Sequence, residues 1–226
     1  PVPDLANPAR NAGKVDLETL SVIADAVSTP YQAILRSGLA KGDLAVFVGV
    51  GGVGGFGVQI AAAMGAMVVA VDVSQDRLDG LKTFGVSLAL RPDRLEAKAL
   101  RQALRDFAKQ QGVPSFRHKI FETSGTVAGQ ATAFSLLGPG GYLSVVGFTP
   151  KPVEIRLSNL MAFDAIAQGN WGCLPEHYPA IVELVLGGRV AIAPFIEKRP
   201  LSAINETFED IRDHKVPGRV VLVPEH

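Results

Sequence analysis

The stretch Leu44 to Asp72, LAVFVGVGGVGGFGVQIAAAMGAMVVAVD, limits what this chain can fold into more than any other part of it. An apolar run over residues 44–48 leads directly into Gly49-Val50-Gly51-Gly52-Val53-Gly54. Val53, Phe56, Ile60 and Met64 then recur at spacings of three and four, the period of a helix with one apolar face. Gly65 breaks that pattern, and a second apolar run, Met67 to Val71, ends at Asp72. Strand, glycine turn, helix, strand and acid is the context that makes G-x-G-x-x-G a dinucleotide-site pattern rather than a chance arrangement. Gly49 permits the tight turn, Gly51 lets backbone approach a pyrophosphate, and Gly54 lets helix and strand pack closely. The free N–H groups and dipole at the helix start favour an anion there, which makes Gly49, Gly51, Gly52, Val53 and Gly54 candidate cofactor-binding positions. Asp72 lies about 20 residues past the glycines, where a carboxylate accepts hydrogen bonds from an adenosine ribose. A parallel-sheet protein whose glycines serve only packing is the competing reading; it leaves the acid and the two flanking strands unexplained.

The rest of the chain repeats the alternation. Asp16 to Ala24 predicts a short helix with Asp16 as N-cap, and Ser28-Thr29-Pro30 opens another with Pro30 at its first position. Helices are expected over 74–84, 95–111 and 128–137, and strands over 88–90, 119–123 and 142–146, with a sixth over 165–171. Strands that alternate with helices imply right-handed crossovers and a parallel sheet. The fold class expected is therefore α/β, a Rossmann-type doubly wound parallel sheet of six strands. Ligands of such sheets sit at the carboxyl ends of the strands, which adds Thr123 and Ser124 as candidates near the adenosine side. The tail reads differently: a helix over 176–186, an extended piece over 195–199, a helix over 203–213 and a last strand over 218–223.

Composition narrows the partners. With 22 Lys+Arg against 22 Asp+Glu there is no basic surplus, so nucleic acid is not expected. The longest apolar stretch, Ile60 to Val71, is interrupted by Gly65 and too short to span a bilayer. A signal peptide is not visible and the lone Cys173 has no disulfide partner, which makes the cytoplasm the default location. Cys173 and Trp171 read as packing or pocket-wall residues. His118, His177, His214 and His226 lack a Cys or His at metal-ligand spacing. The opening Pro1-Val2-Pro3, without a methionine, suggests a fragment or a processed chain.

From about Asp16 to the C-terminus the chain resembles the medium-chain, alcohol-dehydrogenase-like oxidoreductases. The motifs that carry the resemblance are DAVSTPYQA, VGVGGVG, VVAVD with Arg77 five residues on, LGPGGYLSVVGF and GRVVLVP. The segment LMAFDAIAQGNWGCLPEHYPAIVELVLGGRV is similar to that of the 6-hydroxycyclohex-1-ene-1-carbonyl-CoA dehydrogenases of anaerobic aromatic degradation. The resemblance implies an N-terminal GroES-like domain that carries most catalytic groups and is absent here. On that division residues 1–24 are a connector, 25–172 the NAD-binding domain and 173–226 a return segment of the catalytic domain.

The resemblance also implies roles. Asp25 takes the position of the family's third zinc ligand, and Thr29 a catalytic position beside the nicotinamide. Arg77 lies at the ribose edge. Val146, Gly147, Phe148 and Asn170 match segments whose backbone meets the nicotinamide carboxamide, and Arg219 matches an arginine on the pyrophosphate. The implied reaction is NAD-dependent oxidation of a secondary alcohol to a ketone, with zinc, on a small molecule that could be a CoA thioester, in a homodimer or homotetramer. Two other classes share the fold: a zinc-independent quinone or enoyl-thioester reductase, and a non-catalytic NAD-binding module.

Overall fold

The structure, a computed structural model, describes residues 3–213, 215–216 and 218–225. Pro1-Val2 and the histidines His214 and His226 lie outside the described residues. The strands β1 (Leu44–Val48), β2 (Met67–Val71), β3 (Val86–Leu90), β4 (His118–Glu122), β5 (Tyr142–Val145) and β6 (Ile166–Gly169) form one sheet in the order β3-β2-β1-β4-β5-β6. Every neighbouring pair is parallel, which is the Rossmann order expected from the sequence. β7 (Ile196–Pro200) and β8 (Arg219–Val223) make a separate parallel pair. The helices are α1 (Leu17–Leu20), α2 (Ser28–Arg36), α3 (Gly54–Ala63), α4 (Gln75–Gly80), α5 (Ala97–Gln110), α6 (Val127–Ser135), α7 (Ser158–Phe163), α8 (Tyr178–Leu186) and α9 (Ile204–Arg212).

Strand alternation explains why the sheet is covered on both sides. All of β1 is buried; Ala45 and Phe47 enter one core, and Leu44, Val46 and Val48 the other. The first core takes Ile34 of α2, Phe56 and Ile60 of α3, and Ile181 and Val185 of α8. The second takes Leu100 and Leu104 of α5 and Ala133 and Phe134 of α6. The buried residues of α5, Leu100, Leu104 and Ala108, recur every fourth position, so one face of a charged helix suffices to cover the sheet.

Local chemistry sets the boundaries. The Asp16 side chain accepts from the Thr19 N–H and caps α1 as expected. α2 begins at Ser28, two residues before the sequence reading put it, because a 3-10 turn over Ser21–Ala24 feeds into it and Thr29 N–H already bonds Asp25 C=O. Pro30 is thus its third residue, where the missing N–H costs nothing. The helix expected over 74–84 divides into α4 and a 3-10 turn at Lys82–Phe84, with the weak helix former Gly80 at the break. α7 has no counterpart in the sequence expectation; it is only six residues long and packs just Leu160 and Phe163, both partly buried, on the second core. No helix among the described residues is long and apolar enough to cross a membrane.

α3 lies very close to β1. A Cβ at Gly57 would overlap the Phe47 ring, which stacks on Phe121 at 4.7 Å between centroids. Gly57→Ala is expected to destabilise the fold by about 1–3 kcal/mol through overpacking, read as a lower urea midpoint at unchanged slope. An unchanged midpoint would show that α3 can slide away from β1 without cost.

Candidate cofactor site

The carboxyl ends of β1 to β6 all open on one edge of the sheet, and the turns there define a cleft. After β1 the chain reverses at Gly49, whose φ of +87° is left-handed and whose N–H bonds Val71 C=O. The next N–H, of Val50, donates to Asp72 Oδ2 at 2.8 Å, and Ser74 N–H donates to Asp72 Oδ1 at 2.8 Å. The buried Asp72 carboxylate therefore pins the glycine turn to the end of β2, and each oxygen keeps a second lone pair for another donor. Arg77 Nη1 lies 3.9 Å from Asp72 Oδ1. A Cβ on Gly54 would overlap Gly49 C=O, whereas one on Gly51 would meet only the Arg77 guanidinium, at 3.6 Å. Gly51 thus presents open backbone, and the N–H groups of Gly51, Gly52 and Val53 have no acceptor among the described residues. This is a cradle for an anion.

β4 ends at Glu122, so Thr123 and Ser124 lie just past the strand. Thr123 Oγ1 donates to Gly49 C=O at 2.6 Å, and a Cβ on Gly49 would stand 2.5 Å from Ser124 Cα. The two turns are thus locked together. Glu122 has no solvent exposure. Its Oε1 accepts from Ser124 N–H at 2.8 Å, Ser124 Oγ–H at 2.6 Å and Gly125 N–H at 3.1 Å. Its Oε2 has no partner among the described residues. Burial pushes the Glu122 pKa up, and the donors on Oε1 offset that only in part. The strand's one carboxylate in HKIFE is the signal that sequence reading passed over.

Val146 N–H and Gly147 N–H both bond Glu122 C=O, and Gln130 of α6 donates to Gly147 C=O. Phe148 beyond them is largely exposed. Asn170 follows β6 and is buried; its Nδ2 donates to Thr29 C=O at 3.2 Å. Thr29 is the second residue of α2, and its hydroxyl donates to Asp25 Oδ1 at 3.1 Å. Arg219, at the start of β8, reaches Asp25 Oδ2 at 3.3 Å and Gly52 C=O at 3.4 Å. The tail is held in that place by Gln59 of α3, which exchanges two hydrogen bonds with the Ala191 backbone, and by Phe195 against Phe56 and Phe84.

The sequence-derived positions therefore share one edge of the sheet: the glycine turn, Asp72 and Arg77 on the β2 side, Thr123, Ser124 and Val146–Phe148 on the other, and Asp25, Thr29 and Arg219 across the cleft. A dinucleotide fits this donor set, with unpaired N–H groups for phosphate, a carboxylate for ribose and two arginines nearby. Zinc does not fit on these residues alone. Asp25 is engaged by Thr29 and Arg219, and no group of three or more His, Cys, Asp or Glu that could hold a metal occurs among the described residues.

Fold and strand order define an α/β domain of the Rossmann type. More narrowly, residues 52–187 match the zinc-binding dehydrogenase family, and the chain belongs to it. An alcohol dehydrogenase of Geobacillus stearothermophilus is 28% identical over 194 residues, 86% of this chain and 54% of the relative. The galactitol 1-phosphate 5-dehydrogenase of Escherichia coli K12 is 23% identical over 79% of this chain and 53% of its own length. The solved structure of an alcohol dehydrogenase from Thermotoga maritima superposes with a TM-score of 0.83 at 26% identity, over 93% of this chain and 58% of that one. The chain spans about half the length of the curated relatives it matches.

Glu122 supplies a pH test. Its pKa is raised in the folded chain, so the folded state holds the proton more tightly than the unfolded state does. The stability this gives is full below the ordinary glutamate value of 4.5 and is lost as pH rises through the folded value. His118 works oppositely, since burial lowers its pKa and its contribution falls away as pH drops, so the comparison must be variant against wild type. Glu122→Gln, neutral at every pH, is expected to flatten the decline in stability as pH rises above the ordinary glutamate value and to raise the melting temperature at neutral pH. A lower melting temperature with the pH slope retained would show that the ionised carboxylate is the stabilising form.

Proposed function

We propose that this chain binds NAD and serves as the cofactor-binding part of a dehydrogenase that oxidises a secondary alcohol to a ketone. The observation that supports this most is the glycine turn, whose free N–H groups lie beside a carboxylate that already accepts from the turn itself. Relatives named as alcohol and polyol-phosphate dehydrogenases support oxidation at CH–OH. When bound, the nicotinamide supplies the hydride acceptor; the chain's own residues bind and orient it. Gly51 to Val53 would hold the pyrophosphate with Arg219 as counter-charge. Arg219 would turn from Asp25 to the phosphates, and Thr29 and the backbone at Val146–Phe148 and Asn170 would line the nicotinamide end. In the active enzyme Asp25 would serve as one zinc ligand, the others coming from outside the described residues. The narrower reading, conversion of 6-hydroxycyclohex-1-ene-1-carbonyl-CoA to its 6-oxo product, rests on the resemblance over residues 160–190.

Cofactor choice follows from Asp72. The carboxylate suits the 2′- and 3′-hydroxyls of NAD and would face the 2′-phosphate of NADP as a like charge in a partly desolvated site. Such a juxtaposition costs several kcal/mol, so NAD is expected to bind at least roughly a hundredfold tighter than NADP in paired titrations of the chain. Val73 is 61% exposed beside Asp72, and Val73→Arg should narrow the gap while leaving the bond from Val50 N–H to the Asp72 carboxylate in place. Equal affinities in the wild type would remove Asp72 from the ribose.

The same reading gives an assembly. β6 ends the sheet with β5 as its strand partner, all four of its residues are exposed, and Ile166, Met161 and Leu157 beside it show apolar surface. Two such edges paired about a twofold axis would cover that surface. Light scattering is expected to report a dimer or larger, and Ile166→Lys to shift it toward monomer; a strict monomer at high concentration would end this reading.

A further inference from the structure

Gln32 sits in the middle of α2, is 2% exposed, and makes its hydrogen bonds to a segment some 140 residues away rather than within its own helix. Its Oε1 accepts from Leu174 N–H at 2.7 Å. Its Nε2 donates to Gly172 C=O at 3.0 Å and to Asn170 Oδ1 at 3.2 Å. The amide orientation is forced, because a backbone N–H can only donate. Asn170 completes the arrangement. Its N–H bonds Val145 C=O at 2.9 Å, its Nδ2 donates to Thr29 C=O at 3.2 Å, and its Oδ1 also accepts from Arg36 Nη1 at 3.3 Å. Two buried amides thus join α2, the end of β5 and the turn that follows β6. Within that turn Gly172 is left-handed at φ +59°, and Trp171 is 88% exposed. Regular structure does not fix a turn of this kind; Cys173 packs on the first core, and the Gln32 and Asn170 amides supply the directional contacts.

We propose that Gln32 is a positioning residue for the nicotinamide half of the cofactor cleft, holding residues 170–174 against the helix that carries Thr29. This rests on the dinucleotide reading given above. Sheet order supplies the geometry. Asp72 follows β2, on one side of the glycine turn, while β5 and β6 lie on the other, so a dinucleotide with its adenosine at Asp72 would extend its far half toward the clamped turn. An adenosine half at Asp72 would lie on the other side of the glycine turn from everything that Gln32 holds. Loss of the clamp should therefore separate two ligands that share one half: NADH, and ADP-ribose, which lacks the nicotinamide.

The test is titration of both ligands against the wild-type chain and against Gln32→Met, which keeps the volume and removes every hydrogen bond. NADH is expected to weaken at least tenfold, ADP-ribose to stay within twofold, and amide exchange at Leu174 to accelerate. Asn170→Ser breaks the same clamp from the other side and is expected to give the same split, which covers failure of the first variant to fold. Equal weakening of both ligands, or NADH binding that does not change, would overturn the proposal. Wild-type chain that binds neither ligand would instead sink the dinucleotide reading. The clamp itself would then be judged on Leu174 exchange alone, and unchanged protection in Gln32→Met would refute it.

Discussion

The cleft is built on the close approach of α3 to β1. Gly54 and Gly57 have no Cβ where one would overlap the Gly49 carbonyl and the Phe47 ring. That closeness carries the helix start, with its unpaired N–H groups, down to the sheet edge. It also sets the height of the glycine turn, which Asp72 then grips from β2 and Thr123 from β4. A helix held even one methyl group further out would lose both contacts, and with them the overlap of the turns that follow β1 and β4.

Much of this was legible in the sequence, and the reasons are physical. β1 and β2 were read to the residue because strands buried on both faces leave uninterrupted apolar runs. The glycine turn was readable because its backbone demands are local. The parts not read depend on distant partners. Gln32 looks like any helix glutamine until residues 170–174 are folded against it. Glu122 stood in plain view within an apolar strand, but its place between the turns after β4 and β5 comes from strand order. The short helix α7 has Leu157 at its N-cap and Leu160 and Met161 within it at helical spacing, but six residues are too few for that spacing to stand out from a loop. Asp25 and Thr29 were placed by resemblance; their mutual hydrogen bond and the Arg219 contact belong to the folded chain alone.

A single hydrogen-bonded path crosses the cleft from these pieces. It runs from the Gly52 carbonyl through Arg219, Asp25, Thr29 and Asn170 to Gln32. Its two ends differ in character. Asn170 and Gln32 are buried and rigidly partnered, whereas the Asp25 side chain is 70% exposed and the Arg219 side chain 38% exposed. An exposed ion pair of this kind contributes little to stability. The path is therefore firm at the β6 end and loose at the glycine turn, where a charged ligand would compete for the arginine.

Arg219 and Gly52 are 167 positions apart. During synthesis the sheet can assemble strand by strand while the ribosome still holds the last part of the chain. The glycine turn would at that stage exist without Arg219 beside it, since β8 follows all six sheet strands in the chain and docks through contacts of long sequence separation. A chain clipped before β8 would therefore keep the whole six-stranded sheet and lose the guanidinium that spans Gly52 and Asp25, a change in the charge of the turn and not in its backbone.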